Sequence, residues 1–286
     1  MNRLPGPIPV LAGIALVMLV SPVFTGETDS VLSRYDFEDP ALTQWKLPKK
    51  LREISGLVYD DGRLFGHDDQ QGIVYQIDYR EARLIKAFAL GHLTVQADFE
   101  GIAVVDKTFY LVTSAGRLYF SREGNNGERV PYKSYTTGLG NRCEIEGLAH
   151  DAANERLLLV CKQARSRELK NHVAIFVWSL EQRRILERET IMIESSAIHR
   201  HIPGKKFNPS GIEVDTQTGH ILLVAARQRA LAEIDREGNV ITAFELPRAA
   251  LHRQTEGIAL TPDNELILAD EGGTKKARLA IYRSGS

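Results

Sequence analysis

Apolar residues in this chain fall in short runs closed by turn residues, and the runs repeat around one motif. The motif is Asp98-Phe99-Glu100-Gly101-Ile102-Ala103-Val104. Its echoes are Glu53-Ile54-Ser55-Gly56-Leu57, Glu144-Ile145-Glu146-Gly147-Leu148, Asn208-Pro209-Ser210-Gly211-Ile212 and Gln254-Thr255-Glu256-Gly257-Ile258. The glycines stand at 56, 101, 147, 211 and 257, at intervals of 45, 46, 64 and 46. A period in the forties with several short strands per unit marks a β-propeller. Five copies predict five blades. The long interval exceeds the others by 18 residues, too few for a further four-stranded blade, and reads as longer loops.

Within the first repeat the pattern predicts strands over Gly56–Tyr59, Arg63–His67, Ile73–Ile77 and Leu84–Ala89, with turns at Asp60-Asp61-Gly62 and Gln70-Gln71-Gly72. The later repeats follow the same rhythm, their last strands falling at 130–135, 187–193 and 240–244 in the second to fourth. The stretch Thr43–Pro48 resembles the last strand of a repeat, as at Thr242–Pro247 and Lys86–Gly91, yet it precedes the first motif. Gln44–Leu47 is therefore expected to supply the outer strand of the final blade and close the ring, leaving no open edge at the join. The expected fold is all-β: a five-bladed β-propeller over 43–286, of antiparallel four-stranded blades. Two insertions, Lys162–Asn171 and Ser195–Phe207, read as surface loops. His199 and His201 in the second form a His-x-His pair without a third ligand.

The first 25 residues differ in kind. Arg3 is the only charge before the apolar run Ile8–Phe24, which reads as a signal peptide or signal-anchor helix, with 26–42 as a linker. The propeller is then expected on the periplasmic side of the inner membrane, anchored through that helix, or free in the periplasm after cleavage. Export permits a disulfide. The only two cysteines, Cys143 and Cys161, fall on neighbouring predicted strands, either as a cross-strand disulfide or as two separate buried thiols. With 36 basic and 37 acidic residues, nothing points to nucleic acid. A monomer is expected.

Aligned on the glycine, two polar columns appear: Glu53, Asp98, Glu144, Asn208 and Gln254 three positions before it, and Ser55, Glu100, Glu146, Ser210 and Glu256 one before it. Residues two apart on a strand share a face, so each copy is expected to present both side by side. The first strand of each blade is taken to line the axis, and the mouth is expected to add His67, Asp69, Lys162, Arg227 and Asp270. Two like charges about 5 Å apart at an effective dielectric near 20 repel by roughly 3 kcal/mol. Raised pKa values, the counter-charges Lys162 and Arg227, or a bound cation would offset that. Oxygen donors without converging His or Cys favour a hard cation, and a roomy mouth favours Ca²⁺ over Mg²⁺. The candidate ligands are Glu100, Glu146, Glu256, Glu53, Asp98 and Glu144. The plain alternative is that these acids accept hydrogen bonds from backbone amides of neighbouring blades.

The run Leu51–Asp69, with Asp98-Phe-Glu-Gly-Ile-Ala and Phe207-Asn-Pro-Ser-Gly-Ile-Glu-Val-Asp, resembles the SdiA-regulated family of YjiK/CarP-like proteins. The likeness covers roughly residues 43 to 283. It implies a five-bladed propeller behind an N-terminal membrane or signal segment, calcium binding and distant similarity to NHL-repeat propellers, and it implies no established reaction. The leading expectation is a non-enzymatic calcium-binding propeller that serves calcium handling or a protein or small-molecule contact. The alternative is a Ca²⁺-dependent hydrolase of esterase, lactonase or phosphoesterase type, with His67 or Asp69 as base and Lys162 and Arg227 holding an anionic substrate. No nucleophile elbow supports it.

Overall fold

The computed structural model describes Met1 and residues 30–38, 43–81, 83–204, 206–247 and 250–285. The apolar leader lies outside the described residues, among which no helix is long and apolar enough to cross a membrane.

Each glycine motif opens the inner strand of one antiparallel sheet. The inner strands are Ile54–Asp60, Phe99–Val105, Cys143–Asp151, Gly211–Val214 and Thr255–Leu260. Each touches the next, and the fifth returns to the first, so the five sheets close a ring around an axis. The fifth sheet is completed from the other end of the chain: Thr43–Lys46 pairs antiparallel with Arg278–Ile281 as its outer strand. Ring closure is thus as the repeat arithmetic requires.

Both faces of a blade meet a neighbour, which is why the strands read as nearly continuous apolar runs rather than strict alternation. Five apolar clusters fill the five gaps, for example Phe65, Phe88, Ile102, Phe109 and Leu111 between the first two blades. Close to the axis the gap is too narrow for two side chains. A Cβ on Gly101 would lie 2.5 Å from the Leu148 amide nitrogen, and one on Gly257 would lie 2.7 Å from Leu57 Cγ. At this level each blade's glycine accepts the aliphatic residue that follows the next blade's glycine, around the whole ring. The repeated Gly-Leu/Ile pair is first a packing device.

Three expectations are corrected. In the second blade the stretch 130–135 is not one strand: Arg129–Val130 crosses to pair in parallel with Ala89–Leu90 of the first blade, and only Lys133–Thr136 joins its own. The third blade's outer strand is split into Arg184–Ile185 and Ile191–Glu194 around a 3-10 turn. The insertion read as a surface loop begins with the short helix Ser195–His199 and drives Ile198, Ile202 and Phe207 into the core between blades three and four.

The segment read as a linker also belongs in part to the fold. Val31, Leu32, Tyr35 and Phe37 are buried against blades four and five. The fully buried Glu233 carboxylate holds them there, accepting hydrogen bonds from the Ser30 hydroxyl at 2.7 Å and from the Val31 and Leu32 amides at 2.8 and 2.9 Å. His220 Nδ1 lies 2.6 Å from the same carboxylate. Residues 30–37 therefore belong to the folded domain.

Candidate axial carboxyl site

Four of the five inner strands carry a β-bulge at the motif. Phe99 pairs with Thr113 and Gly101 with Val112, leaving Glu100 as the extra residue; Thr255 pairs with Asp270 and Gly257 with Ala269, leaving Glu256. The same shift lies between Ile54 and Leu57 and between Ile145 and Leu148. A bulge breaks the two-residue alternation and re-aims a side chain. The residue before each glycine turns to the axis, and the residue three before it does not.

The expected ligand set therefore divides. Glu100, Glu146 and Glu256 converge, whereas Glu53, Asp98 and Glu144 stay at the rim with local partners: Arg52, the Ser114 hydroxyl and Arg165. Between the converging acids stands Ser55, its Oγ 3.4 Å from Glu100 Oε2 and 3.5 Å from Glu256 Oε2. Glu100 shares a hydrogen bond with Glu146. Glu146 is buried and accepts from Lys162 Nζ at 2.6 Å. A chain of polar groups thus runs from Glu256 through Ser55, Glu100 and Glu146 to Lys162. The fifth member of the column, Ser210, is used structurally, donating to the Thr255 carbonyl at 2.8 Å and accepting from the Ala226 amide.

One lysine faces three carboxyls that are largely out of water, so all three are pushed above the usual carboxylate range. Burial, then Glu146, Asp98 and Glu256, push Glu100 up to about 10 against the pull of Lys162. Burial, then Glu271 and Glu146, push Glu256 to about 8. Burial raises Glu146 as well, opposed by Lys162. At the rim, burial with Glu53 takes Glu271 to about 7, and burial with Asp68 and Glu53 takes Asp69 to about 6.

The glycine ring narrows the axis beside these acids to a cavity of about 10 Å³, lined by Ser55, Glu100, Glu256 and the motif glycines. That is close to the space one water-sized sphere needs. Among the described residues no three His, Cys, Asp or Glu side chains stand as a ready-made metal cage. The donors are nonetheless all oxygen, as calcium prefers, and the space is that of a single ion, so the residues fit such an ion once their protons leave.

The remaining mouth candidates scatter. Lys162 and Arg227 line a cavity of about 350 Å³ with Asn208, Arg253, Gln254 and Glu256. Asp69 lies near Glu256 and Glu271, and its Oδ1 is buried without a hydrogen-bond partner. Asp270 is a buried brace, accepting from the Thr255 hydroxyl and the Gln254 amide beside His252. His67 is fully buried behind the inner strand, 2.6 Å from where a Cβ on Gly56 would stand. Its Nδ1 donates to the Asp68 carbonyl at 3.0 Å, its Nε2 has no partner, and burial lowers its pKa to about 4. Cys143 and Cys161 are joined in a disulfide with Cα atoms 5.8 Å apart; a bulge sets Cys161 opposite Ile145. His199 sits on the short helix, away from these groups.

Two features had no weight in the sequence reading. Arg253 lies just outside the fifth motif, where only its neighbour Gln254 was aligned. The far end of the axis holds a cavity of about 270 Å³, lined by residues of all five blades including Asp60, His150 and Glu213. Its sequence signal is Glu213, an acid two positions after a motif glycine.

The sequence profile of the SdiA-regulated family matches residues 32–273. No curated protein matches the chain in sequence. Among solved structures it is similar to the Myxococcus xanthus glutaminyl cyclase, with a TM-score of 0.58 at 15% identity over 84% of this chain and 94% of that one. It is also similar to a luciferin-regenerating enzyme, with a TM-score of 0.53 at 9% identity over 85% and 96%. At such identities the likeness is one of fold.

Proposed function

The chain belongs to the SdiA-regulated family, and we propose that within it this protein is a calcium-binding propeller carried on the outer side of the cytoplasmic membrane by its apolar N-terminal segment. Glu100, Glu146 and Glu256 would hold the ion with the Ser55 hydroxyl, all oxygen donors of the kind calcium takes. One observation carries the reading: Glu100 and Glu256, from two blades, line a single-ion space with the Ser55 hydroxyl, and Glu146, paired with Lys162, stands close enough to act on the charge of both. Bound calcium would supply the positive charge that protons supply in its absence. Lys162 holds Glu146 in place, and the glycine ring sets the diameter of the site.

Calorimetric calcium titration of the full-length chain tests this. Glu100→Gln and Glu256→Gln are each expected to weaken binding at least tenfold, and His199→Ala to leave it unchanged. Equal affinities in all three variants remove the assignment. The hydrolase reading loses one of its two candidate bases, because His67 is fully buried against Gly56, and would rest on Asp69.

A further inference from the structure

Two cavities along the axis are lined by opposite charge. The far cavity is lined by Asp60, Asp61, Glu213 and Asp215, with no Lys or Arg. The cavity above the acid cluster is lined by Lys162, Arg227 and Arg253 against the single carboxyl of Glu256, in a chain whose net charge is −1. These cations come from blade three, blade four and the loop entering blade five. Lys162 is committed to Glu146. Arg227 and Arg253 have no ion-pair or hydrogen-bond partner among the described residues, and both are exposed at the cavity. By contrast, rim arginines such as Arg52 and Arg165 are each matched by a carboxylate. The polar walls are fixed: the Asn208 side chain donates to the Lys162 carbonyl at 2.9 Å and accepts from Gln228, while Gln254 donates to Glu271. At about 350 Å³ the space falls at the lower end of the range of small-molecule sites, about 300–1,000 Å³.

We infer that this cavity binds a small organic anion, a carboxylate or phosphate monoester, held between the forked guanidinium groups of Arg227 and Arg253 with Lys162 beneath it. Guanidinium forks match planar carboxylate and phosphate oxygens two at a time. Arg227 and Arg253 reach the same cavity from adjacent blades. The inference deepens the calcium reading: an ion at the axis would add positive charge beneath the cavity that Glu256 helps to line.

The test titrates the full-length chain in detergent with phenyl phosphate and with malonate, each with calcium and with a calcium chelator. Saturable binding of either probe, weakened about tenfold or more by Arg227→Ala and by Arg253→Ala and unchanged by Arg184→Ala, supports the inference; the stronger probe names the anion class. Arg227→Lys, which keeps the charge and loses the fork, is expected to bind less tightly than wild type. No saturable binding under either condition, or binding that ignores both arginine substitutions, overturns it. The two readings separate cleanly. Calcium binding without anion binding sinks this inference alone, and arginine-dependent anion binding without calcium binding sinks the calcium reading alone.

Discussion

On the proposed reading calcium would have to displace protons to enter this site, and the cost of doing so can be worked out. At pH 7 Glu256, with its pKa pushed to about 8, and Glu100, pushed to about 10, are both protonated. Ionising them costs about 1.4 kcal/mol for one unit and about 4 kcal/mol for three. Intrinsic calcium affinity would therefore be masked by about four orders of magnitude at neutral pH, and each binding event would release close to two protons. Affinity is expected to rise about fiftyfold between pH 7 and 8, or about fivefold if only Glu256 gives up its proton. Calorimetry at one pH in HEPES and in Tris, whose ionisation heats differ, counts the protons directly; affinities measured from pH 6 to 8 give the slope. No proton release at pH 7 together with a flat profile would mean that calcium binds carboxylates already ionised elsewhere, and the axial assignment would be lost.

The same acids and their neighbours give further expectations. Because Glu100 and Glu256 have folded pKa values above the unfolded one, the metal-free protein loses stability as pH rises from about 5 through 8 and beyond; denaturant melts should show this limb, and calcium should flatten it. On the acid side His67 works the other way: its folded pKa of about 4 lies below the unfolded 6.5, so stability is lost as pH falls between those values, by up to about 3 kcal/mol. His67→Leu should remove most of that slope in acid denaturation. Gly101→Ala forces a Cβ against the Leu148 backbone and should cost about 1–3 kcal/mol or more in thermal or urea unfolding, whereas Gly285→Ala, with open space around it and no positive φ, should not approach that. Glu233→Gln weakens the acceptor for Ser30, Val31 and Leu32, so amide exchange at Val31 and Leu32 should quicken well before the blades open.

The ring was legible because its determinants are local and periodic: a glycine at the narrowest point, an aliphatic residue after it, and a misplaced outer strand at Gln44–Leu47 that only closure explains. The site was half legible, and one physical step separates the halves. Unbroken alternation put Glu53, Asp98 and Glu144 beside the axial acids, and that would hold in a regular strand. The bulge at Ser55, Glu100, Glu146 and Glu256 removes the premise, and an isolated glycine inside a strand pattern is itself the signal for a bulge. The strap shows the opposite case. Glu233 stands in the apolar run Ala230–Ile234 with its partners some 200 residues away, so no spacing rule could have matched it to Ser30. What such an acid does announce is that polar partners must reach it, since a buried carboxylate without them would cost more than the strand could supply. His220 of its own blade provides one, and the segment read as a linker provides the other three.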